Sequence, residues 1–311
     1  MGTPDFAVPA LEQLAAARYE IAAVYTQPDR PSGRGQQLAE TPVKRRALQL
    51  GLRVLTPKSL RAPEAIDELR GFAPGALVVA AYGKLLPQAA LDVPPKGTLN
   101  IHPSLLPKYR GPSPIAGAIL SGGGETGVTI MLLDAGMDTG PVLSQRRETI
   151  ADDDTAGSLG QRLSRVGAEL LVETLAAWIA NAITPQPQDS TKATVTKLVE
   201  KDDGRIDWTL PARQIWLQTR AYSPWPGSFT TWRGATLKIL QARAIEGRPG
   251  APGTAMLIEG ARDGGKGKQL VIATGEGALL VERLQAEGKR VMTTQEFLSG
   301  RPELIGERLP S

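Results

Sequence analysis

The sequence predicts an α/β protein with an open, doubly wound, mostly parallel sheet, followed by a smaller, OB-like β-barrel domain. Three observations support this prediction. Over residues 1–183, short apolar runs alternate with segments of helical periodicity, which is typical of a sheet with helices on its faces. Residues 184–203 lose that periodicity and are rich in Pro, Gln, Ser and Thr, which indicates a linker. Residues 204–311 contain short strand-like runs between Gly-rich turns, which favours a small barrel.

The first region contains four apolar runs with the length of strands, at 20–26, 76–82, 98–101 and 127–133. The second and fourth are almost continuously apolar, as parallel strands are when helices cover both faces. Helical periodicity is found between and after these runs, at 9–18, 42–50, 62–71 and 155–182. We therefore expect strands and helices to alternate along the first 183 residues.

The first strand of this sheet is missing from the pattern, because the chain opens with Met1 and Gly2 already at a turn into a helix. A doubly wound sheet normally begins with a buried strand that leads into such a turn. An empty central position would leave backbone groups of its two neighbours unpaired. The expectation is that a first strand belongs upstream of Met1, between the strands at 20–26 and 76–82.

The last region is predicted to contain five strands, at 229–232, 237–242, 253–257, 269–273 and 279–284. We expect Trp208, Trp225 and Trp232 to pack in its core, although aromatic rings can also stack on bases. This region has 15 Lys and Arg against 10 Asp and Glu, whereas residues 1–183 have 18 of each. A modest basic surplus is compatible with a nucleic-acid partner and equally with an ordinary solvated surface.

Composition excludes several function classes. There is no cysteine and one histidine, His102, which rules out disulfides, thiolate metal sites, a cysteine nucleophile and a histidine-rich metal centre. We expect no metal. No apolar run is long enough to cross a bilayer and no secretory signal pattern is present, so we expect a protein of the cytoplasm or an organellar matrix, without a membrane partner. No G-x-G-x-x-G follows an early strand, which disfavours a dinucleotide-binding enzyme.

The residues best suited to chemistry lie around His102. Asn100 and His102 are two residues apart at the end of a predicted strand, so their side chains point to the same side. Open α/β sheets place their ligand crevice at this edge. After the next strand, Asp138 lies in the glycine-flanked turn DAGMDTG. Each residue alone has an ordinary structural explanation, but all three map to one sheet edge, which predicts a site with an amide, an imidazole and a carboxylate.

The run NIHPSLLPKYRG, followed by TGVTIMLLDAGMDTGPV, resembles the signature of the folate-dependent formyltransferase family. That signature is Asn-x-His, then Ser-Leu-Leu-Pro-x-x-x-Gly, then Asp-x-Gly-x-Asp-Thr-Gly. The resemblance implies a Rossmann-like formyltransferase domain at 1–183, with 10-formyltetrahydrofolate as the co-substrate. It places the catalytic residues at Asn100, His102 and Asp138. It places the folate-binding loop at Ser104, Leu105, Leu106, Pro107 and Gly111.

Three further runs, GTPDFAVPAL, TQPDRPSGRG and RIDW with AYSPWPG, resemble the family members that formylate initiator methionyl-tRNA. This resemblance implies a monomer whose 26–35 loop enters the acceptor stem and whose 204–311 domain binds the tRNA. Phosphate contacts are expected from Arg30, Arg34 and Lys44. Gln36 and Gln37 stand where relatives often carry basic residues, which lowers the expected charge of the loop.

The alternatives are a UDP-amino-sugar formyltransferase of the same family and a tRNA-binding module with an inactive catalytic domain. The intact Asn/His/Asp set argues against the second. In the implied reaction, Asn100 donates to the developing oxyanion, and His102 donates beside it or passes a proton to the leaving nitrogen. Asp138 holds His102 protonated by charge attraction, or accepts the proton of the attacking amine.

Overall fold

The computed structural model describes residues 1–32, 37–247, 250–262 and 265–311. The chain divides into two compact units, each of which is built from several segments. The first unit comprises Met1–Pro114, Gly124–Ile150 and Leu159–Lys197. The second comprises Ile115–Gly123, Ala151–Ser158 and Leu198–Ser311. The functional side chains discussed below belong to the first unit.

Strands and helices alternate along the first 180 residues, as expected from the sequence. The strands are β1 (Val24–Tyr25), β2 (Arg30–Ser32), β3 (Gln37–Ala39), β4 (Val54–Leu55), β5 (Leu77–Val79), β6 (Thr98–His102), β7 (Glu125–Leu132) and β8 (Val142–Thr149). The helices are α1 (Val8–Ala16), α2 (Pro42–Gln49), α3 (Pro63–Gly71), α4 (Gln88–Leu91), α5 (Pro114–Leu120) and α6 (Ala156–Ile179). Proline stands in the first two positions of α1, α2 and α3, where its missing N–H costs nothing.

The described strands of the first unit form two two-stranded sheets, β1-β4 and β2-β3, and one four-stranded sheet in the order β5-β6-β7-β8. β1 pairs in parallel with β4, and β5 pairs in parallel with β6. β7 pairs antiparallel with both β6 and β8. The predicted open α/β sheet is confirmed, but the interpretation of 127–133 as a parallel strand is wrong. A continuous apolar run indicates burial on both faces, which β7 has, and contains no information about strand direction.

The position between β1 and β5 holds only the first two residues of the chain. Gly2 N donates to Tyr25 O at 3.0 Å, the Met1 amino group donates to Val78 O at 2.6 Å, and Ala80 N donates to Met1 O at 2.9 Å. Next to this pairing is a largely apolar cavity of about 500 Å³, lined by β1, β5, α1 and part of α6. The cavity lies where the sequence predicts a further strand, and the upstream strand itself stays a prediction.

The second unit contains a sheet of antiparallel strands. They are β9 (Ser228–Trp232), β10 (Ala235–Ile245), β11 (Ala255–Arg262), β12 (Gly265–Ala273), β13 (Ala278–Ala286) and β14 (Met292–Thr293). The helices are α7 (Ala212–Ala221) and α8 (Thr294–Gly300). The strand order is β11-β12-β13-β10-β9, and β14 pairs with Arg283 and Leu284 of β13, beyond the residues of β13 that pair with β12. The antiparallel β domain predicted for this region is therefore present.

The expected closed barrel is not formed, because β9 and β11 do not pair with each other in the described ranges. Segments outside the strands cover both edges instead. Ile206 N donates to Phe229 O on β9 at 2.8 Å, and Ala255 N on β11 donates to Glu307 O at 2.9 Å. Edges that are covered in this way need no closure of the sheet.

The core of the second unit confirms two of the three tryptophan predictions. Trp208 and Trp232 are buried, and the ring of Trp232 packs 5.6 Å from that of Phe297. Trp225 is 61% exposed, so its predicted core position is wrong. It lies in a loop outside β9, where strand spacing does not apply. None of the helices in the described part of the chain is long and apolar enough to cross a membrane.

Candidate active site

β6 places Asn100 and His102 on one side of the sheet, in the middle of the unit. The strand is buried along its whole length, with Asn100 opposite Met131 of β7 and His102 opposite Thr129. Ile101 points to the other face. There a Cβ at Gly167 of α6 would come within 2.7 Å of Ile101 Cγ2, so α6 packs directly on the strand. Helix packing on the Ile101 face leaves the opposite face of β6 for the site.

Asn100 is 9% exposed, and its side-chain amide makes no hydrogen bond within the described residues. The amide atoms are not among the fully buried ones that lack a partner, so they are open to solvent. Its N–H groups are therefore available to a ligand in the crevice.

His102 is held between a backbone carbonyl and a carboxylate. Its Nε2 lies 3.0 Å from Tyr109 O, and its Nδ1 lies 3.7 Å from Asp138 Oδ1. A carbonyl only accepts, so Nε2 carries the hydrogen, and in the neutral ring Nδ1 is an unprotonated acceptor facing another acceptor. One further proton can therefore be held between His102 Nδ1 and Asp138 Oδ1.

Burial lowers the pKa of His102 below its usual value, and this effect exceeds the opposite effects of the Asp138 charge and the Tyr109 carbonyl. The imidazole is consequently mostly neutral at pH 7. This finding differs from the expectation that Asp138 holds His102 protonated. The reason is that a ring with 5% of its side-chain surface exposed loses more solvation than one carboxylate at 3.7 Å returns.

Asp138 reaches His102 from the turn that connects β7 to β8. Its Oδ2 accepts a hydrogen bond from Gly111 N at 2.7 Å, which fixes the carboxylate. The turn is closed by Asp134, whose Oδ1 accepts from Gly136 N and from Thr139 Oγ1. Asp138 has a φ of 55°, in the left-handed region that Asp tolerates better than most residues.

The predicted folate-binding loop is anchored by two polar side chains that sequence reasoning missed. Thr129 Oγ1 donates to Ser104 O and accepts from Leu106 N. Gln145 Nε2 donates to Leu106 O at 2.8 Å, and the bond from Leu106 to Pro107 is cis. Thr129 is the one polar residue in the run GVTIMLL, and it is buried, so that exception was the available signal.

Gly111 ends this loop in a position that only glycine fits. Its φ is 102°, and a Cβ there would lie 2.8 Å from Thr196 O. The backbone N–H that binds Asp138 therefore depends on the absence of a side chain.

Two of the residues predicted to bind tRNA are engaged with the protein itself. Arg30 Nη2 donates to Gln27 Oε1 at 2.9 Å. Lys44 Nζ contacts Asp29 Oδ2 at 2.5 Å and Glu40 Oε1 at 3.3 Å, and hydrogen bonding to Asp29 raises the pKa of Lys44. Both lie at the base of the β2–β3 hairpin, and Arg34 lies outside the described residues.

The site thus combines a free amide donor, a mostly neutral imidazole and a carboxylate at the crevice edge of a doubly wound sheet. This set suits transfer of an acyl-type group, because it offers a donor for an oxyanion and a place for one proton. Across the described residues, no group of three or more His, Asp and Glu side chains is placed to hold a metal ion. Fold and site together define an α/β group-transfer enzyme.

Comparison with known families agrees with this class. Residues 1–175 match the formyl transferase family, and residues 198–302 match the formyl transferase C-terminal domain. The chain belongs to the formyl transferase family.

Several relatives are similar over nearly the full length. The chain is 54% identical to a methionyl-tRNA formyltransferase of Roseiflexus sp. (strain RS-1), over 99% of this chain and 94% of the relative. It is 44% identical to a protein of the same name from Solibacter usitatus (strain Ellin6076), over 99% and 97%.

Solved structures share the fold at much lower identity. WlaRD, a sugar 3N-formyl transferase, is 18% identical with a TM-score of 0.65, over 93% of this chain and 97% of that one. An N-formyltransferase from Helicobacter canadensis, in complex with folinic acid and dTDP-3-aminofucose, is 19% identical with a TM-score of 0.64, over 92% and 97%.

Proposed function

We propose that this protein transfers the formyl group of 10-formyltetrahydrofolate to the α-amino group of initiator methionyl-tRNA, a step of translation initiation. The chemistry rests on one observation above all, the His102–Asp138 pair beside the unpaired amide of Asn100. The choice of acceptor rests on relatives of that name that are about half identical over nearly the whole chain.

The reaction makes a bond between the amino nitrogen and the formyl carbon and breaks the bond from that carbon to N10 of the folate. An α-amino group has a pKa of about 7.7–8.0 in peptides, so neutral nucleophile is available near pH 7. The protein then has to stabilise the negative charge that develops on the formyl oxygen and to move one proton. Asn100 is the donor for that oxygen, because its N–H groups are free for a ligand.

The His102–Asp138 pair handles the proton. Neutral Nδ1 and the carboxylate are both acceptors, so together they take up the proton that the attacking amine loses. The same proton then passes to the leaving N10, which returns the pair to its starting state. Because burial disfavours the charged ring, the pair gives up this proton readily.

The folate would lie along the loop from Ser104 to Gly111. Ser104 and Leu106 are fully buried in the protein, so they shape the loop and do not present side chains to a ligand. Contact would come from half-buried Leu105 and Pro107 and from the backbone. The loop needs little reorganisation, since Thr129 and Gln145 already hold it.

The tRNA would be bound by two parts of the chain. The first is the hairpin at 30–39, with Arg30 and Arg34, together with Lys44 of α2. The second is the domain at 204–311, which the linker at 184–203 joins to the catalytic domain at 1–183. The basic surplus of the last region supports this arrangement. We also propose that the protein acts as a monomer, in the cytoplasm or an organellar matrix.

The test is formyl transfer from 10-formyltetrahydrofolate to purified initiator methionyl-tRNA, with a UDP-amino sugar assayed in parallel. Formylated methionyl-tRNA and unmodified sugar are expected. The sugar is the second candidate because solved sugar formyltransferases share the fold. Formylation of the sugar alone would favour that candidate, and tRNA binding without transfer to either acceptor would indicate an inactive module.

A further inference from the structure

The side chain of Gln188 makes four hydrogen bonds that join two loops of the site. Its Oε1 accepts from Arg110 Nε at 3.0 Å and Arg110 Nη2 at 2.7 Å. Its Nε2 donates to Asp138 O at 2.9 Å and to Gly140 O at 2.7 Å. Both donor hydrogens and both acceptor positions of the amide are therefore used.

Three consecutive residues, Tyr109, Arg110 and Gly111, connect this amide to the catalytic pair. Tyr109 O accepts from His102, Arg110 holds Gln188, and Gly111 N donates to the Asp138 carboxylate. The segment that carries Gln188 also pairs with this loop, since Arg110 N donates to Thr194 O and Thr196 N donates to Arg110 O. Asp138 is thus held at its carboxylate by Gly111 and at its carbonyl by Gln188.

The Asp138 backbone needs such support. Its φ of 55° belongs to a region that non-glycine residues rarely occupy unless the surroundings impose it. The contact with His102, at 3.7 Å, is longer than a hydrogen bond and cannot fix the distance by itself.

We propose that Gln188 is a positioning residue for formyl transfer, which sets the distance between the Asp138 carboxylate and the His102 ring. The proposal rests on the proposed function, because it assigns Gln188 a part in the proton transfer of that reaction. Gln188 does not touch the reacting atoms in this account. Its hydrogen bonds connect the turn that contains Asp138 to the loop that contains Tyr109 and Gly111.

Gln188→Leu removes all four hydrogen bonds at similar volume, and Gln188→Glu keeps the acceptors for Arg110 while losing the donors to the Asp138 turn. Gln186→Leu is the matched control, because the Gln186 side chain bonds only to Thr184 O in its own segment. We expect both Gln188 variants to lower kcat by roughly 10- to 100-fold, since a misplacement of about 1 Å can cost about 10²-fold. KM values should stay close to those of Gln186→Leu, whereas the melting temperature of Gln188→Leu should fall, because the buried Arg110 guanidinium and two carbonyl groups lose their partner.

A second measurement needs no substrate. His102 is the one histidine of the chain, so its NMR resonances are identified without assignment of the rest. Asp138 is the charged group that acts on the pKa of His102, and Arg110 lies on the other side of Gln188. Because the Asp138 charge raises the pKa of His102, its displacement in Gln188→Leu should lower that pKa, in the same direction as Asp138→Asn. Gln188→Glu adds a negative charge of its own, which acts in the opposite direction, so that variant is compared by kcat alone.

The two readouts separate the possible failures. If wild-type protein does not formylate methionyl-tRNA but the His102 titration shifts in Gln188→Leu, the proposed function fails while the positioning of the pair stands. If kcat and the His102 titration both equal those of Gln186→Leu, Gln188 only tethers its segment and the proposal is wrong. If Gln188→Leu does not fold, the uncharged Gln188→Met takes its place in both measurements.

Discussion

At the scale of single residues, the site depends on groups that are placed for a ligand and make few contacts with the protein. Asn100 contributes a side-chain amide without a described partner, and His102 contributes a ring that burial keeps mostly neutral. Both positions follow from strand alternation on β6. Their removal should therefore affect the reaction more than the fold.

We expect Asn100→Ala and His102→Ala each to lower kcat by at least ~100-fold, because each loses a transition-state contact and little core volume. Turnover is measured with both substrates saturating, and folding is checked by thermal melting. Gln13→Ala, at an exposed position of α1, is the control. Normal turnover in either site variant would remove that residue from the mechanism.

The pH dependence tests the catalytic pair. The neutral form of His102 accepts the proton, so kcat should fall as the pH drops through the lowered pKa of His102. Asp138 raises this pKa, and Asp138→Asn should therefore move the acid limb of the profile to lower pH, in addition to lowering the maximal rate. A limb that moves to higher pH would contradict the assigned direction. The measurement is kcat between about pH 5 and 8.

At the scale of elements, contacts within the protein partly neutralise the positive charge around the β2–β3 hairpin. Two carboxylates contact Lys44, and Gln27 accepts from Arg30. The free energy gained from a phosphate contact is smaller for a cation that already has partners. Arg30 and Lys44 are therefore expected to contribute less to tRNA affinity than cations without such partners.

We expect Arg34→Ala to impair formylation of methionyl-tRNA while folate binding is retained, and to lower the slope of log affinity against log salt by about 1. Lys44→Ala serves as the comparison and should change the slope less. The measurement is tRNA affinity at several salt concentrations. Unchanged tRNA kinetics in Arg34→Ala would mean that the loop is ordinary surface.

At the scale of the whole molecule, the weak point is the cavity between β1 and β5. Met1 and Gly2 line it together with parts of β1, β5, α1 and α6, and the lining is largely apolar. Unfilled apolar volume lowers stability, because the side chains that line it lack partner atoms on one side.

An apolar segment of about five to six residues before Met1, the usual length of a strand, should fill the cavity. We expect the melting temperature to rise by several degrees, since each ~1 kcal/mol is worth about 2–4 °C in a domain of this size. A Gly-Ser extension of equal length is the control, and equal melting curves for the two would contradict the need for a strand.

The sequence by itself determined the alternation of strands and helices, the change to an antiparallel β domain, and the placement of Asn100 and His102 on one side of β6. These features are local and periodic, because burial repeats every two residues on a strand and every 3.6 on a helix. The run DAGMDTG likewise marked a carboxylate turn from its glycines and aspartates alone.

Only the tertiary structure decided the direction of β7, the covered edges in place of a closed barrel, the neutral state of His102 and the role of Gln188. Each depends on groups far apart in the chain. Gln188 and Asp138 are 50 residues apart in the chain. Trp225 is exposed because it lies in the loop before β9, outside the strands that form the core. The pKa of a group depends on the burial and the charges around it, and the direction of a strand depends on the neighbour with which it pairs. A local sequence pattern therefore predicts neither the pKa nor the strand direction.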